Sequence, residues 1–179
     1  MKNCQCASLT NVTIGNSVTN IGEHAFDECA SLVSVTIPNS VTNIGDFAFA
    51  SCASLEAVYF QGNAPGGDFT VFASDKGTVY YLPGTAGWGP TLGGLPTALW
   101  TLPYPLILNN GPGFGAQTTG FVFTISWATN LPVVVEASTN LAHPIWTPVA
   151  TNTLAGGWSY FSDPEWKSYP ARFYRIASP

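Results

Sequence analysis

The chain has 179 residues, 46% of them hydrophobic and 13% aromatic, and only 8% charged, against a usual charged share of roughly a quarter. High hydrophobicity with low charge excludes a disordered chain, and the length suffices to bury about two-thirds of the unfolded surface in one or two domains. The net charge of −5 opposes phosphate-backbone partners and anionic membranes, so neither nucleic-acid binding nor membrane insertion is expected.

The charge is uneven. Residues 1–110 carry two basic and seven acidic groups, and residues 111–179 carry three of each. Gly and Pro together number 32, which disfavours long helices. The most apolar stretch, residues 98–108, is broken by Pro103 and Pro105 and falls short of the ~20 residues of a membrane span. The opening residues, Met1 to Gln5, have no apolar signal-peptide core. A composition rich in Thr, Asn, Ser and Gly nevertheless suits an exported protein, so an extracellular or cell-surface location is expected for a piece of something larger.

From Cys6 onward the chain repeats itself. Residues 6–28, CASLTNVTIGNSVTNIGEHAFDE, match residues 29–51, CASLVSVTIPNSVTNIGDFAFAS, at 16 of 23 positions without a gap. A third copy starts at Cys52 and runs to Phe60, where Gly62, Pro65, Gly66 and Gly67 interrupt it. A fourth, degenerate turn follows when Tyr80-x-Leu82-Pro83 is set against Val58-x-Phe60, a step of 22, with Phe69 and Phe72 upstream in the role of Ala25-Phe26 and Ala48-Phe49.

A period near 23 marks a solenoid, in which each coil leaves an apolar face bare until the next covers it. Leu9, Val12 and Ile14 have the spacing of an inward-facing strand, Val18 and Ile21 that of a second extended segment, and Ala25-Phe26 fills the interior at a turn. Gly22 and Gly45 are expected at a corner. The pattern C-x-S-L-x-x-V-x-I-P-x-S-V-T-x-I-G-x-x-A-F resembles the BspA-type leucine-rich repeat of bacterial surface proteins, and residues 29–49 reproduce it almost position by position. The resemblance implies a mainly β fold for residues 1–100, a short leucine-rich-repeat solenoid of about four 22–23-residue coils with a C-terminal cap. It also implies adhesion-type surface interaction.

Beyond Trp100 the step disappears. Residues 101–116, rich in Pro and Gly, read as a linker or an edge strand. Residues 117–179 hold strand candidates at 121–127, 133–137, 145–149, 158–161 and 172–176, separated by Asn, Gly and Asp-Pro turns, which points to a small β-sandwich. The order of Ile-Ser-Trp, Val-Glu-Ala-Ser, a Trp strand, Tyr-Phe-Ser-Asp and Phe-Tyr-Arg-Ile is similar to a fibronectin type III domain. It is also similar to C-terminal modules of large secreted bacterial proteins. The chain stops before a last fibronectin strand, so either the sandwich is smaller or residues 105–108 complete a sheet from the other end.

Chemistry-bearing residues are few. Cys6, Cys29 and Cys52 share one repeat position and stack as a column of buried thiols, roughly 5 Å apart, without disulfide geometry. Cys4 near the chain end is expected to be reactive, and Cys4-Gln5-Cys6 lacks the further ligands of a zinc site. His24 occupies the place of Phe47 at a partly buried, tolerant site, and His143 lies in a loop. Asp163 and Glu165 flank a turn proline. Arg172 and Arg175, three apart on a strand, face opposite ways and form no anion clamp. The Gly-rich runs at 87–89 and 111–115 lack the Lys of a phosphate loop. No catalytic residue, metal ligand or cofactor is therefore assigned, and the chain is read as non-enzymatic.

What remains is surface. If Val12 and Ile14 face in, Thr13, Thr36, Tyr59 and Tyr81 form an outward column suited to a protein or carbohydrate ligand, with Asn11, Ser34, Ala57 and Val79 as a second column. Five residues before Cys6 cannot shield Leu9, Val12 and Ile14, so this edge is the candidate for self-association into an oligomer or filament.

Overall fold

A computed structural model describes residues 6–109, 114–126 and 132–177. The chain divides into two compact units, Met1–Trp100 and Thr101–Pro179.

The first unit is a β-solenoid. Its strands are β1 (Asn11–Thr13), β2 (Asn20–Ile21), β3 (Ser34–Ile37), β4 (Asn43–Ile44), β5 (Ala57–Phe60), β6 (Thr78–Tyr81), β7 (Thr91–Leu92) and β8 (Leu95–Leu99). In the main sheet β1, β3, β5, β6 and β8 run parallel in that order, and β7 turns back antiparallel on β8. A second, narrow parallel ladder joins β2 to β4 and continues as a bridge from Asn43 to Gly66.

The repeat sequence explains this order. Coils one and two present Leu, Val, Ile, Val, Ile and Phe inward at fixed offsets, and the next coil covers them. Coil two is covered on both sides, so Leu32, Ile37 and Phe49 have no exposed surface. The same residue types in coil one, Leu9, Val12, Ile14, Val18 and Phe26, pack against that core and stay partly exposed. Phe26, Phe49 and Phe72 stack through the interior with centroids 5.0 and 5.6 Å apart. Phe72 therefore takes the interior role expected of it, whereas Phe69 is 78% exposed.

Backbone bonds tie the corners together: the Phe26 and Glu28 amides donate to Ala48 and Ala50, and those of Phe49 and Ser51 to Val71 and Ala73. Ser40 adds a side-chain bond to the Val18 carbonyl at 2.7 Å.

The corners differ from expectation. Left-handed backbone falls at His24 and Phe47, and at Glu28, Ser51 and Ser74, all 23 apart, rather than at Gly22 and Gly45. Gly45 is needed because the coils approach closely there: a Cβ would lie 2.6 Å from the Glu23 amide nitrogen.

The register of the fourth coil is a second correction. Val58 pairs with Val79, Tyr59 with Tyr80 and Phe60 with Tyr81, a step of 21 rather than 22. Two residues are missing between Asp75 and Thr78 relative to the segment from Cys52 to Ala57. The shortened turn presses Gly77 onto the third coil, where a Cβ would meet the Leu55 carbonyl at 2.7 Å.

The second unit has two antiparallel sheets built from β9 (Leu106–Leu108), β10 (Gly115–Gln117), β11 (Gly120–Ser126), β12 (Pro132–Ser138), β13 (Thr147–Thr153), β14 (Trp158–Asp163) and β15 (Phe173–Ala177). In one, β11 lies between β14 and the pair β9 and β10; in the other, β12 lies between β13 and β15. Alternating residues Phe123 and Ile125 of β11 meet Val133 and Val135 of β12, with Leu154 and Phe161 closing the core, as period-two burial requires. Leu106–Leu108 thus joins a sheet as an edge. The strand expected at 145–149 begins only at Thr147, because Asn140 accepts the Ala142 and His143 amides and holds a loop there. Ile145 is 78% exposed. Trp127, expected to end a strand, lies outside the described residues, as does most of the Gly-rich run at 111–115.

Candidate ligand-binding face

The candidate site is one face of the main sheet. Alternation sends Val12, Val35, Val58 and Val79 inward, and the residues that follow them outward. The register aligns Thr13, Thr36, Tyr59 and Tyr80, then Ala98 on β8. Thr13 and Thr36 are exposed, and Tyr59 and Tyr80 half-buried.

Tyr81 therefore leaves the column expected from the sequence. It stands beside Phe60, packs against the solenoid core and stacks on Trp88 at 4.8 Å with planes 7° apart. Val79 likewise leaves the second column, which reads Asn11, Ser34, Ala57 and Thr78, and has no exposed surface.

The tyrosines that remain outward support each other. Tyr59 and Tyr80 stack at 5.3 Å with planes 21° apart, and Trp100 leans on Tyr59 at 4.8 Å. Ring stacking at the strand spacing holds both side chains, leaving them little rotamer entropy to lose in a further contact. Trp100 is a member the sequence reading missed. Its position was visible only as the end of the repeat, and its amide reaches the Tyr81 carbonyl at 2.7 Å. At the end nearer coil one, Asn16, Pro38 and Gln61 line a groove with Thr13 and Thr36. The column and this groove contain hydroxyls, amides and aromatic rings and no charged side chain.

The proposed self-association edge is also placed. Leu9, Val12 and Ile14 are half-buried. Val12 and Ile14 share an apolar groove with Val18, Ile21 and Phe26 on the open side of coil one. Among the described residues β1 pairs only with β3.

His24 and the arginines of the second unit make structural contacts. His24 bonds Asp27 at 2.9 Å and stacks on Phe47 at 5.2 Å; it is exposed rather than partly buried. Arg172 pairs with buried Asp163 at 2.8 Å, and Asp163 also accepts from the Tyr174 hydroxyl and the Glu165 amide. Burial, with the Asp163 bond, pushes the Tyr174 hydroxyl above its ordinary range. Arg175 pairs with Glu136 at 2.6 Å and lies over Trp146. Neither arginine's partner was foreseen, since spacing along the chain does not mark either pair, nine and 39 residues apart.

The cysteine column is correct for Cys29 and Cys52, which are buried free thiols, but Cys6 is exposed, having a coil on one side only among the described residues. Burial raises both buried thiols, with Cys6 adding for Cys29 and Asp75 for Cys52, which reaches about 12. Cys4 lies outside the described residues. Among those residues no group of three or more His, Cys, Asp or Glu is placed to hold a metal ion. No helix there is long and apolar enough to cross a membrane.

Residues 3–77 match the family profile of the BspA type leucine rich repeat region (6 copies). No curated protein and no solved structure matches the chain. It is to the BspA-type leucine-rich repeat, over residues 3–77, that the solenoid is similar.

Proposed function

We propose that the chain is a non-enzymatic interaction module of a secreted or cell-surface protein, which holds a glycan or protein ligand on the outward face of the solenoid sheet. The observation that carries this reading is the register-aligned, uncharged column of Thr13, Thr36, Tyr59 and Tyr80, extended by Trp100. Rigid tyrosines combine apolar area with a polar tip, and the neighbouring amides and hydroxyls of Asn16, Gln61 and the threonines suit the hydroxyls of a sugar or the backbone of an extended peptide. The likeness of residues 3–77 to a repeat of surface proteins supports the location. The 101–179 unit is read as a fibronectin type III-like partner module in the same chain.

The test is an array carrying neutral glycans and purified extracellular proteins. Wild type should bind some members, and the Tyr59→Ser/Tyr80→Ser double variant should lose at least tenfold in affinity with little change in melting temperature. Unaltered binding by the variant moves the site elsewhere.

The apolar groove of coil one and the edge of β1, which among the described residues pairs only with β3, favour a second reading, self-association through Leu9, Val12 and Ile14. A strictly monomeric 18.9 kDa species across a light-scattering concentration series contradicts it.

A further inference from the structure

The cysteine column has a fourth member that is not a cysteine. Steps of 23 lead from Cys6 to Cys29, Cys52 and then Asp75. Backbone bonding shows the equivalence: the Asp75 amide donates to the Phe72 carbonyl at 3.1 Å as the Cys29 amide donates to that of Phe26 at 3.3 Å. A carboxyl therefore stands where the repeat otherwise places a small, weakly polar thiol.

Both Asp75 oxygens are buried and neither makes a hydrogen bond among the described residues. The groups that act on it belong to two other coils. Burial is the chief opponent of its ionised form; the Cys52 backbone amide of the third coil favours ionisation, Asp27 of the first opposes it, and the Cys52 thiol is itself raised by Asp75 and stays neutral. The adjacent cation, Lys76, is exposed. In earlier coils a leucine follows the column by three residues, as Leu9, Leu32 and Leu55; the two-residue deletion before Thr78 removes its counterpart.

We propose that Asp75 is a pH-sensitive latch: protonated, it holds the corner at residues 69–77 against the coil before it, and ionised, it loosens that corner. A buried carboxylate whose one nearby donor, the Cys52 amide, falls short of hydrogen-bond geometry carries a desolvation cost that the neutral acid avoids. On ionisation the proton leaves to solvent and the charge stays in the buried corner, where Asp27 weakly opposes it. Burial raises the folded-state value to about 7, above the ordinary ~3.9 of an unfolded chain. The folded state therefore binds the extra proton between these values. The stabilisation is fully present below about pH 4 and is lost as pH rises through about 7.

The corner has its own reporters. The Phe49 and Ser51 amides donate to Val71 and Ala73 in it, both at 2.9 Å, while the Phe26 and Glu28 amides make the same bonds one coil earlier. Amide exchange, corrected for the intrinsic rate, is followed from pH 5.5 to pH 8.5 in wild type, Asp75→Asn and Asp75→Cys. In wild type the protection of Phe49 and Ser51 should fall at least tenfold relative to Phe26 and Glu28, while both variants stay flat. A flat wild-type profile overturns the proposal even if neither variant folds, and so does a fall that persists in both variants. The Asp75 side-chain carboxyl carbon, followed by NMR in wild type, must titrate well above the ordinary aspartate range; a midpoint near 4 also overturns it.

Discussion

Ile14 and Ile37 hold the same repeat position, yet one is half-buried and the other has no exposed surface. Burial here comes from neighbouring coils rather than from the residue. Ile37→Ala should cost about 2–5 kcal/mol, because coils on both sides prevent collapse of the cavity. Ile14→Ala should cost less, and Ser34→Ala should stay within about 0.5 kcal/mol. Urea midpoints check the order, and equal effects at Ile37 and Ser34 contradict the inward and outward assignment. The thiols follow the same logic: under native conditions iodoacetamide should label Cys6 and spare Cys29 and Cys52, whose burial suppresses both access and thiolate. Peptide mass spectrometry reads the outcome. The column itself was legible from the spacing, but the exposure of Cys6 was not, because a repeat register describes what a coil offers and not which coils cover it.

Among the elements, coil contact decides which glycines matter. Gly45→Ala would set a Cβ 2.6 Å from the Glu23 backbone, whereas Gly22, one repeat earlier, has nothing within 4 Å of the same position among the described residues. Gly45→Ala should therefore cost about 1–3 kcal/mol, and Gly22→Ala should be neutral or stabilising by up to about 1 kcal/mol, a contrast that thermal unfolding resolves. The first two coils were readable because near-identical copies leave no freedom of alignment, and the third because Cys52-Ala53-Ser54-Leu55 repeats their opening. The fourth was not, because pairing Tyr80-x-Leu82-Pro83 with Val58-x-Phe60 matches the apolar pattern and ignores the deletion between Asp75 and Thr78. Hydrogen bonding restores the correct register, since Thr78 donates to the Glu56 carbonyl at 2.9 Å. β8 was hidden for a different reason: Leu95-Pro96-Thr97-Ala98-Leu99 contains a proline and follows Gly93-Gly94, signals of a turn, and its strand state comes from pairing with β6. In the second unit the alternation in β11 and β12 was plain in the sequence. The bonds of Asp163 and Glu136 were not, because they join residues brought together only by the sheets.

At the scale of the whole molecule, the low charge is a property of the surface as much as of the core. The net charge of −5 lies outside the column, so binding there should change less than about twofold between roughly 0.05 and 0.5 M salt. A steep salt dependence on the same array would place the ligand on an acidic part of the surface. The central claim is that the fourth coil turns Tyr80 outward to the ligand and Tyr81 inward to the core. It is tested most directly by comparing Tyr80→Ser with Tyr81→Ser in parallel urea titrations and array binding. Tyr80→Ser should lose binding while its stability stays within about 1 kcal/mol, the worth of its stack on Tyr59. Tyr81→Ser should lose on the order of 2 kcal/mol by emptying the space against Trp88 and Phe60, and still bind at temperatures where it is folded. The reverse pattern, with Tyr81→Ser abolishing binding and Tyr80→Ser destabilising the fold, would contradict both the register and the site built on it.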